Sequence, residues 1–193
     1  MLALLSQPGG AGSASPDYTD FAAAGGTLRL SVLPGGILRL RFAATGEFPD
    51  YSPFGILESL PEAEAMTVSS CGEGTVLRAG KLEIMLADRM TVRNVQTGQV
   101  LAAPADFLAF DGTETVFTLS LEEGETVYGL GQDPMANLNQ RDHQRRMFNQ
   151  FGSNARSGNN GIPLMLSSRG DGVFLHSPHP ARFDIGGAVP GLE

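Results

Sequence analysis

A segment rich in amide and guanidinium side chains is the part of the 193-residue sequence best suited to binding a ligand. Between positions 137 and 161 apolar residues are few, and the amide and guanidinium side chains include Asn137, Asn139, Gln140, Arg141, Arg145, Arg146, Asn149, Gln150, Asn154, Arg156, Asn159 and Asn160. Amides and guanidiniums hydrogen-bond hydroxyl groups, and loops on a rigid scaffold often carry binding residues. The composition fits a carbohydrate contact surface as well as it fits a long surface loop without a ligand.

Three other motifs have the residue types of known sites but lack the context that those sites need. The YGLG motif at 128–131 has two glycines but no third glycine at the required offset, and it is not part of a βαβ unit. Both absences argue against a dinucleotide site. His176 and His179 have no nearby cysteine or further histidine, so they are interpreted as ordinary loop histidines rather than zinc ligands. Cys71 has no catalytic signature around it and is predicted to be a buried core thiol.

Carboxylates are plentiful, but their positions in the sequence assign none of them to catalysis. A retaining glycosidase needs two carboxyl groups about 5–5.5 Å apart, a separation that sequence does not give. Residues 122–125 are interpreted as a solvated turn ahead of a strand at Val127. The sequence therefore predicts no catalytic residue and no metal ligand. An epimerase would need a histidine acid beside a carboxylate base, and only His143, His176 and His179 could supply the acid.

Short β-strands are the elements predicted to position these residues. Apolar and polar residues alternate over Leu28–Val32 and again over Leu38–Phe42, on either side of the sequence Pro-Gly-Gly. Period-two alternation around such a turn predicts a β-hairpin with its aliphatic side chains on one face. The opposite face carries Arg29, Arg39 and Arg41, which are interpreted as solvated arginines rather than as a binding stripe for a polyanion.

The rest of the sequence predicts an all-β, antiparallel β-sandwich with few or no helices. Further strands are predicted at 66–68, 75–77, 82–86, 91–95 and 116–121, with turns at 88–89 and 97–98, an irregular loop at 48–60, and short extra turns at 106–110 and 135–139. The spacing of the glycines between the strands is typical of such sandwiches. The 25 Gly and 12 Pro residues also disfavour long helices.

Charge and hydropathy exclude several classes of partner. Thirteen basic and 21 acidic residues give a net charge of −8, which argues against nucleic acid. No apolar run approaches the roughly 18 residues of a membrane span, and the short apolar start lacks the basic flank of a signal peptide. A single cysteine forms no internal disulfide, which favours a cytoplasmic location. Residues 1–17 are predicted to be a flexible tail and 18–193 one domain.

Four sequence blocks together resemble the N-terminal domain of glycoside hydrolase family 31. The blocks are VYGLGQ at 127–132, LNQRDHQRRMFNQ at 138–150, GIPLMLSSRGDGVFLHSP at 161–178 and ARFDIG at 181–186. The hairpin at 28–42 and the stretch from GKLEIML to TGQVL at 80–101 are similar to earlier strands of that domain. The resemblance therefore extends over about 28–186.

The resemblance implies a galactose-mutarotase-like supersandwich that precedes a (β/α)8 barrel in retaining α-glucosidases and α-xylosidases, enzymes without a metal or organic cofactor. In the family the catalytic aspartates belong to the barrel, for which this chain has no room. The sandwich packs on the barrel and extends one loop toward the sugar-binding pocket, which corresponds here to residues 149–161. Asn154, Arg156, Asn159 and Asn160 are therefore predicted to contact the sugar or the barrel.

The chain departs from the family pattern at three places. Arg141-Asp142 stands where the family commonly has Arg-Gly, and Phe148 stands where a tryptophan often precedes the asparagine. The sequence also ends before the strand that usually completes the sandwich. Because there is no tryptophan, only Phe148, Phe151 or Tyr128 could form a sugar-stacking platform, and these residues are more typical of a core.

The sequence thus predicts a non-catalytic N-terminal sandwich of an α-glycosidase, inactive by itself, that supports the barrel and shapes the substrate entrance. Its expected partners are an α-linked oligosaccharide and the missing barrel, and exposed apolar surface is expected to favour self-association. Two alternatives remain open, a free-standing carbohydrate-binding module and a mutarotase-type epimerase.

Overall fold

The structure, a computed structural model, describes residues 3–4, 17–48, 61–72, 74–104, 106–131, 138–147, 161–177 and 179–187. These residues form β-strands and no helix, and every strand pair that they contain is antiparallel. None of the described segments is a helix that could cross a membrane. The chain divides into two compact units, one with the described residues up to Leu119 and one with those from Ser120 onward.

The first unit contains two sheets and a separate hairpin. The four-stranded sheet has the order β1 (Ala3–Leu4), β2 (Thr19–Ala23), β3 (Gly26–Leu33) and β4 (Ile37–Ala43). The five-stranded sheet has the order β5 (Thr67–Cys71), β6 (Gly74–Ala79), β7 (Leu82–Leu86), β8 (Met90–Asn94) and β9 (Val100–Ala103). The hairpin consists of β10 (Leu108–Phe110) and β11 (Thr115–Phe117).

The predicted hairpin is confirmed in strands β3 and β4. Leu30 lies opposite Leu40 in the register, so the aliphatic side chains of both strands share a face. Gly35 and Gly36 in the connecting turn have φ values of 91° and 84°. Residues with a Cβ rarely adopt this left-handed region, which explains why the turn contains two glycines.

The two larger sheets of the first unit share one hydrophobic core. Leu28 and Leu30 of β3 are completely buried, as are Leu77 of β6 and Ile84 of β7, and all four belong to the same cluster. Buried and more exposed positions alternate along β7, whereas the last four residues of β3 are all buried, as are both Val76 and Leu77 of β6. The apolar faces of both sheets thus meet in one core, which is the arrangement of a β-sandwich.

The interpretation of Arg29 as a solvated arginine is wrong. Its guanidinium donates two hydrogen bonds to the Asp20 carboxylate, at 2.7 and 2.8 Å, and this hydrogen-bonded partner raises the pKa of Arg29. The guanidinium carbon also lies 3.8 Å from the ring centre of Tyr18 and 4.2 Å from that of Phe48. The arginine therefore joins three segments of the first unit through an ion pair and cation–π contacts.

Three other local predictions are corrected in the first unit. Cys71 is exposed rather than buried, because it belongs to the edge strand β5, of which every residue is exposed. Residues 108–110, predicted as part of an extra turn, pair with β11 as a strand. The predicted strand at 116–121 is shorter, since β11 ends at Phe117.

The second unit contains a three-stranded and a two-stranded sheet. The first has the order β12 (Val127–Gly129), β14 (Leu164–Ser167) and β15 (Gly172–Phe174), and β13 (His143–Met147) pairs with β16 (Ala181–Ile185). Val127, Leu130, Met147 and Ile185 form its buried core. Val127 belongs to the three-stranded sheet and Leu130 follows β12, whereas Met147 and Ile185 belong to the two-stranded sheet. The core therefore joins the two sheets, which contain the strands before, within and after the polar segment 137–161.

Candidate functional site

The residues predicted to contact sugar, Asn154, Arg156, Asn159 and Asn160, lie outside the described residues, as do Phe148 and Phe151. The structure describes the chain up to Met147 at the end of β13 and again from Gly161, shortly before β14. The strands and turns around these two points position the ends of segment 148–160, and their side chains form the described part of the candidate site.

The YGLG motif has a structural function. Gly129, Leu130 and Gly131 have φ values of 109°, 63° and 84°, three successive residues in the left-handed region. A Cβ on Gly129 would collide with the carbonyl oxygen of Leu164. Leu130 is completely buried, and its N–H donates to that same oxygen at 2.8 Å. The glycines therefore allow β12 to turn closely against β14, which agrees with the exclusion of a dinucleotide site.

The side chain of Asn139 fixes the start of the polar segment against β12. Its Oδ1 accepts hydrogen bonds from the backbone N–H groups of Val127 and Arg141, both at 3.1 Å. The neighbouring N–H of Gln140 donates to the carbonyl of Val127 at 2.7 Å, and Gln140 is buried. Asn139 thus positions the chain where it enters β13 rather than facing a ligand.

Glu125 is a buried carboxylate, so the prediction of a solvated turn is wrong at this residue. It is 8% exposed, and its two oxygens accept hydrogen bonds from the Glu122 N–H at 2.9 Å and the Ser167 hydroxyl at 2.5 Å. Arg141 Nη1 donates to the carbonyls of Glu122 and Glu125, both at 3.0 Å. Since both carboxylate oxygens have partners within the unit, Glu125 connects the turn to β14 and is not placed as a catalytic base.

Asp142 explains one departure from the resembled family. It has a φ of 63°, and its N–H donates to the carbonyl of Ile185 at 2.6 Å. Glycine adopts this conformation without a steric cost, whereas aspartate is among the few other residues that tolerate it. Asp142 therefore has a backbone conformation that favours glycine, the residue that the resembled family commonly has here.

The outward face of the β13–β16 ribbon is polar. Gln144 lies opposite Asp184 and donates to its carboxylate at 2.7 Å, while Arg146 lies opposite Arg182. Arg146 and Arg182 are both exposed. The register thus places two arginines opposite each other at the point where β13 leads into segment 148–160.

The three histidines occupy separate positions on the second unit. The Nδ1 atom of His143 lies 2.6 Å from the carbonyl oxygen of Arg141, so Nδ1 carries a proton that it donates there. His176 follows β15 and stacks on Phe174 with ring centres 5.4 Å apart, and His179 is exposed. Within the described parts of the chain, no three His, Cys, Asp or Glu side chains come together as a metal site.

Sequence reasoning missed the residues that fix the strands on either side of segment 148–160, namely Asn139, Arg141, Glu125 and Ser167. The hydrogen bond from Asn139 to Val127 spans 12 residues, and that from Ser167 to Glu125 spans 42. No local pattern reports partners so far apart. In the sequence, only the predicted turn at 122–125, directly ahead of the strand at Val127, pointed to this region.

A family model described as the glycosyl hydrolase 31 N-terminal galactose mutarotase-like domain matches residues 27–184. The match extends over both units and includes the hairpin, the YGLG motif and the polar segment. No curated protein matches the sequence significantly.

Solved structures of three enzymes are similar in fold. A GH31 dextranase of Flavobacterium johnsoniae in complex with isomaltotriose has a TM-score of 0.76 and 18% identity, over 93% of this chain and 23% of its own. The GH31 α-xylosidase of Xanthomonas citri has a TM-score of 0.63 and 20% identity, over 83% of this chain and 18% of its own. The cycloalternan-forming enzyme of Listeria monocytogenes, in complex with a pentasaccharide substrate, has a TM-score of 0.70 and 18% identity, over 98% of this chain and 19% of its own.

These similarities confirm the predicted fold class, an all-β antiparallel β-sandwich. At this level of identity they concern the fold alone. The chain spans about a fifth of the length of the solved structures that it matches.

Proposed function

The chain belongs to the family of glycosyl hydrolase 31 N-terminal galactose mutarotase-like domains, and from this we propose that it is the non-catalytic N-terminal sandwich of a longer retaining α-glycosidase. The observation that carries the proposal is the family match over 27–184, across both units. The catalytic carboxylates would belong to a barrel elsewhere in the polypeptide, without a metal or organic cofactor. The sandwich would support that barrel and contribute residues 149–161 to the substrate entrance.

The proposed substrate class is α-linked glucosides or xylosides. The similar structures include a dextranase that holds isomaltotriose and an enzyme that holds a pentasaccharide substrate, together with an α-xylosidase. The proposed contact residues are Asn154, Arg156, Asn159 and Asn160, whose side chains have the donors and acceptors that sugar hydroxyls need. The described strands on either side of this segment support the proposal, because part-buried hydrogen bonds of Asn139 and Glu125 fix the start of β13 and the end of β14.

The proposal is tested by comparing the purified 193-residue chain with the full-length product of its reading frame. The full-length protein is expected to hydrolyse an aryl α-glucoside or α-xyloside with retention of configuration, whereas the isolated chain is expected to show no turnover above buffer. Robust hydrolysis by the isolated chain, or a reading frame without a barrel, would contradict the proposal. In the second case, calorimetric binding of an oligosaccharide would favour the carbohydrate-binding module instead.

The contact residues are tested in the full-length protein with Asn154→Ala and Arg156→Ala. Loss of a hydrogen bond to substrate costs about 0.5–1.5 kcal/mol, or more for a charged donor, so KM is expected to rise roughly 2- to 10-fold. Gln150→Ala, in the same segment but not a proposed contact, is the matched control and should leave KM unchanged. Equal effects of all three substitutions would contradict the assignment of these residues.

A further inference from the structure

The three-stranded sheet of the second unit exposes an apolar face on the side away from its core. Val127 and Met165 lie on the inner face and pack in the core of that unit. On the other face, Leu164 is 37% exposed, Leu166 51% and Phe174 43%. An antiparallel sheet with one wet face normally alternates apolar and polar residues, so three large apolar side chains on the outer side depart from that pattern.

The register shows that these side chains are neighbours rather than scattered residues. Leu164 lies directly opposite Phe174, and Leu166 lies between Tyr128 on β12 and Gly172 on β15. A Cβ built on Gly172 would approach Leu166 Cδ2 to 2.9 Å, which shows that the leucine extends across the glycine. We call Tyr128, Leu164, Leu166 and Phe174 the outer apolar face. It contains no charged residue.

We infer that the outer apolar face is the surface on which the catalytic part of the longer polypeptide packs. The inference rests on the proposed function and adds to it the contact surface. Isolated apolar side chains are normal on protein surfaces, whereas contiguous apolar patches mark interaction sites. The centre of a permanent interface is depleted of charge, as this face is.

The length of the similar enzymes indicates what covers the outer apolar face. This chain covers 23%, 18% and 19% of their chains, so in each of them a comparable fold is joined to about four times as much polypeptide. The outer apolar face also begins at Leu164, three residues after segment 149–161, for which contact with the barrel is proposed. A sugar is a poor occupant, because the polar group of the face is the Tyr128 hydroxyl, which accepts a hydrogen bond from Thr126 Oγ1 at 3.0 Å.

Thiol labelling at matched positions tests the inference. In a Cys71→Ser background, Leu166→Cys probes the outer apolar face, and Met85→Cys probes the five-stranded sheet at a similar exposure, 42%. The rate of reaction with a maleimide is measured in the isolated chain and in the full-length protein. We expect the rate at position 166 to fall at least tenfold in the full-length protein and the rate at position 85 to change less than twofold.

The outcomes separate this inference from the proposed function. Equal protection at both positions, or none at position 166 in a full-length protein that hydrolyses an α-glucoside, overturns the inference and leaves the proposed function standing. A slow rate at position 166 in the isolated chain that increases on dilution identifies a second copy as the occupant and also overturns it. A reading frame without a barrel overturns both. If Leu166→Cys does not fold, Leu164→Cys at 37% exposure replaces it.

Discussion

At the residue scale, the left-handed backbone conformation at position 142 suits the glycine of the resembled family and is tolerated by Asp142. Its φ of 63° costs a non-glycine residue about 1 kcal/mol, and its side chain is exposed. We expect Asp142→Gly to increase the free energy of unfolding by up to about 1 kcal/mol, because relief of this cost exceeds the added entropy of the unfolded chain. Asp142→Ala should lower it by about 1 kcal/mol, since alanine tolerates this conformation less well than aspartate.

Urea denaturation of the isolated chain measures both changes. Asp88→Gly is the control, because Asp88 is also exposed but is not in the left-handed region, and there glycine should destabilise. If Asp142→Gly lowered the free energy of unfolding as much as Asp88→Gly, the left-handed backbone conformation would not be what favours glycine at position 142.

Asp111 is expected to make the stability of the β10–β11 hairpin depend on pH. Its carboxylate accepts hydrogen bonds from the Glu114 N–H and from the N–H and hydroxyl of Thr113, all at 2.8 Å. These bonds, that from Glu114 first, lower the pKa of Asp111 from 3.8 to about 2. A depressed pKa in the folded state stabilises it above the unfolded pKa, so the contribution is present above pH 3.8 and is lost as pH falls toward 2.

An NMR titration of the Asp111 carboxyl carbon measures this pKa directly. Asp111→Asn keeps an acceptor in the turn but removes the ionisation, so the pH dependence from this residue should disappear. A carboxyl that titrates near 3.8 in the folded protein would contradict the prediction.

At the scale of elements, the Glu125 carboxylate is expected to be the main connection between the turn at 122–125 and β14. Glu125→Ala would remove the acceptor of the Ser167 hydroxyl and of the Glu122 N–H in a buried position. Donors that are left without a partner in a buried or part-buried position cost about 1–3 kcal/mol. We therefore expect the free energy of unfolding to fall by about 2 kcal/mol, measured by urea denaturation.

Glu123→Ala is the matched control, since Glu123 is exposed in the same turn. Its effect should stay within about 0.5 kcal/mol, as for most surface substitutions. If both variants lose the same stability, the turn rather than the carboxylate is responsible.

Elements held by neighbouring residues could be predicted from the sequence, and those held by distant residues could not. The β3–β4 hairpin follows from alternation and from a turn whose two glycines have positive φ, all within residues 26–43. The burial of Glu125 depends on Ser167, 42 residues away. The exposure of Cys71 depends on β5 being an edge strand. The burial of Glu125 and the exposure of Cys71 both depend on the order of strands in the sheets, which residue spacing does not encode. The predicted sugar contacts lie outside the described residues.

At the scale of the whole molecule, the two units differ greatly in the size of their cores. Among the described residues, 16 buried apolar side chains form the core of the first unit and four form that of the second. The stability of a unit depends on the apolar area that it buries, and small cores are marginal without additional support. The outer apolar face leaves still more apolar surface of the second unit exposed. The second unit is therefore expected to be the less stable of the two.

This difference predicts that the isolated chain opens in a fixed order, with the second unit first. Local unfolding free energies follow the amount of buried contact, so hydrogen-bonded amides of β14 should exchange at least about tenfold faster than those of β7, a difference of about 1.4 kcal/mol. Hydrogen exchange with mass-spectrometric detection measures both strands in one experiment, and rates at two pH values establish that exchange reports equilibrium opening. Amide protection equal in β7 and β14 would show one cooperative unit and contradict the prediction. In the full-length protein the protection of β14 should rise toward that of β7, because the catalytic part would cover the outer apolar face and supply the contacts that a four-residue core lacks.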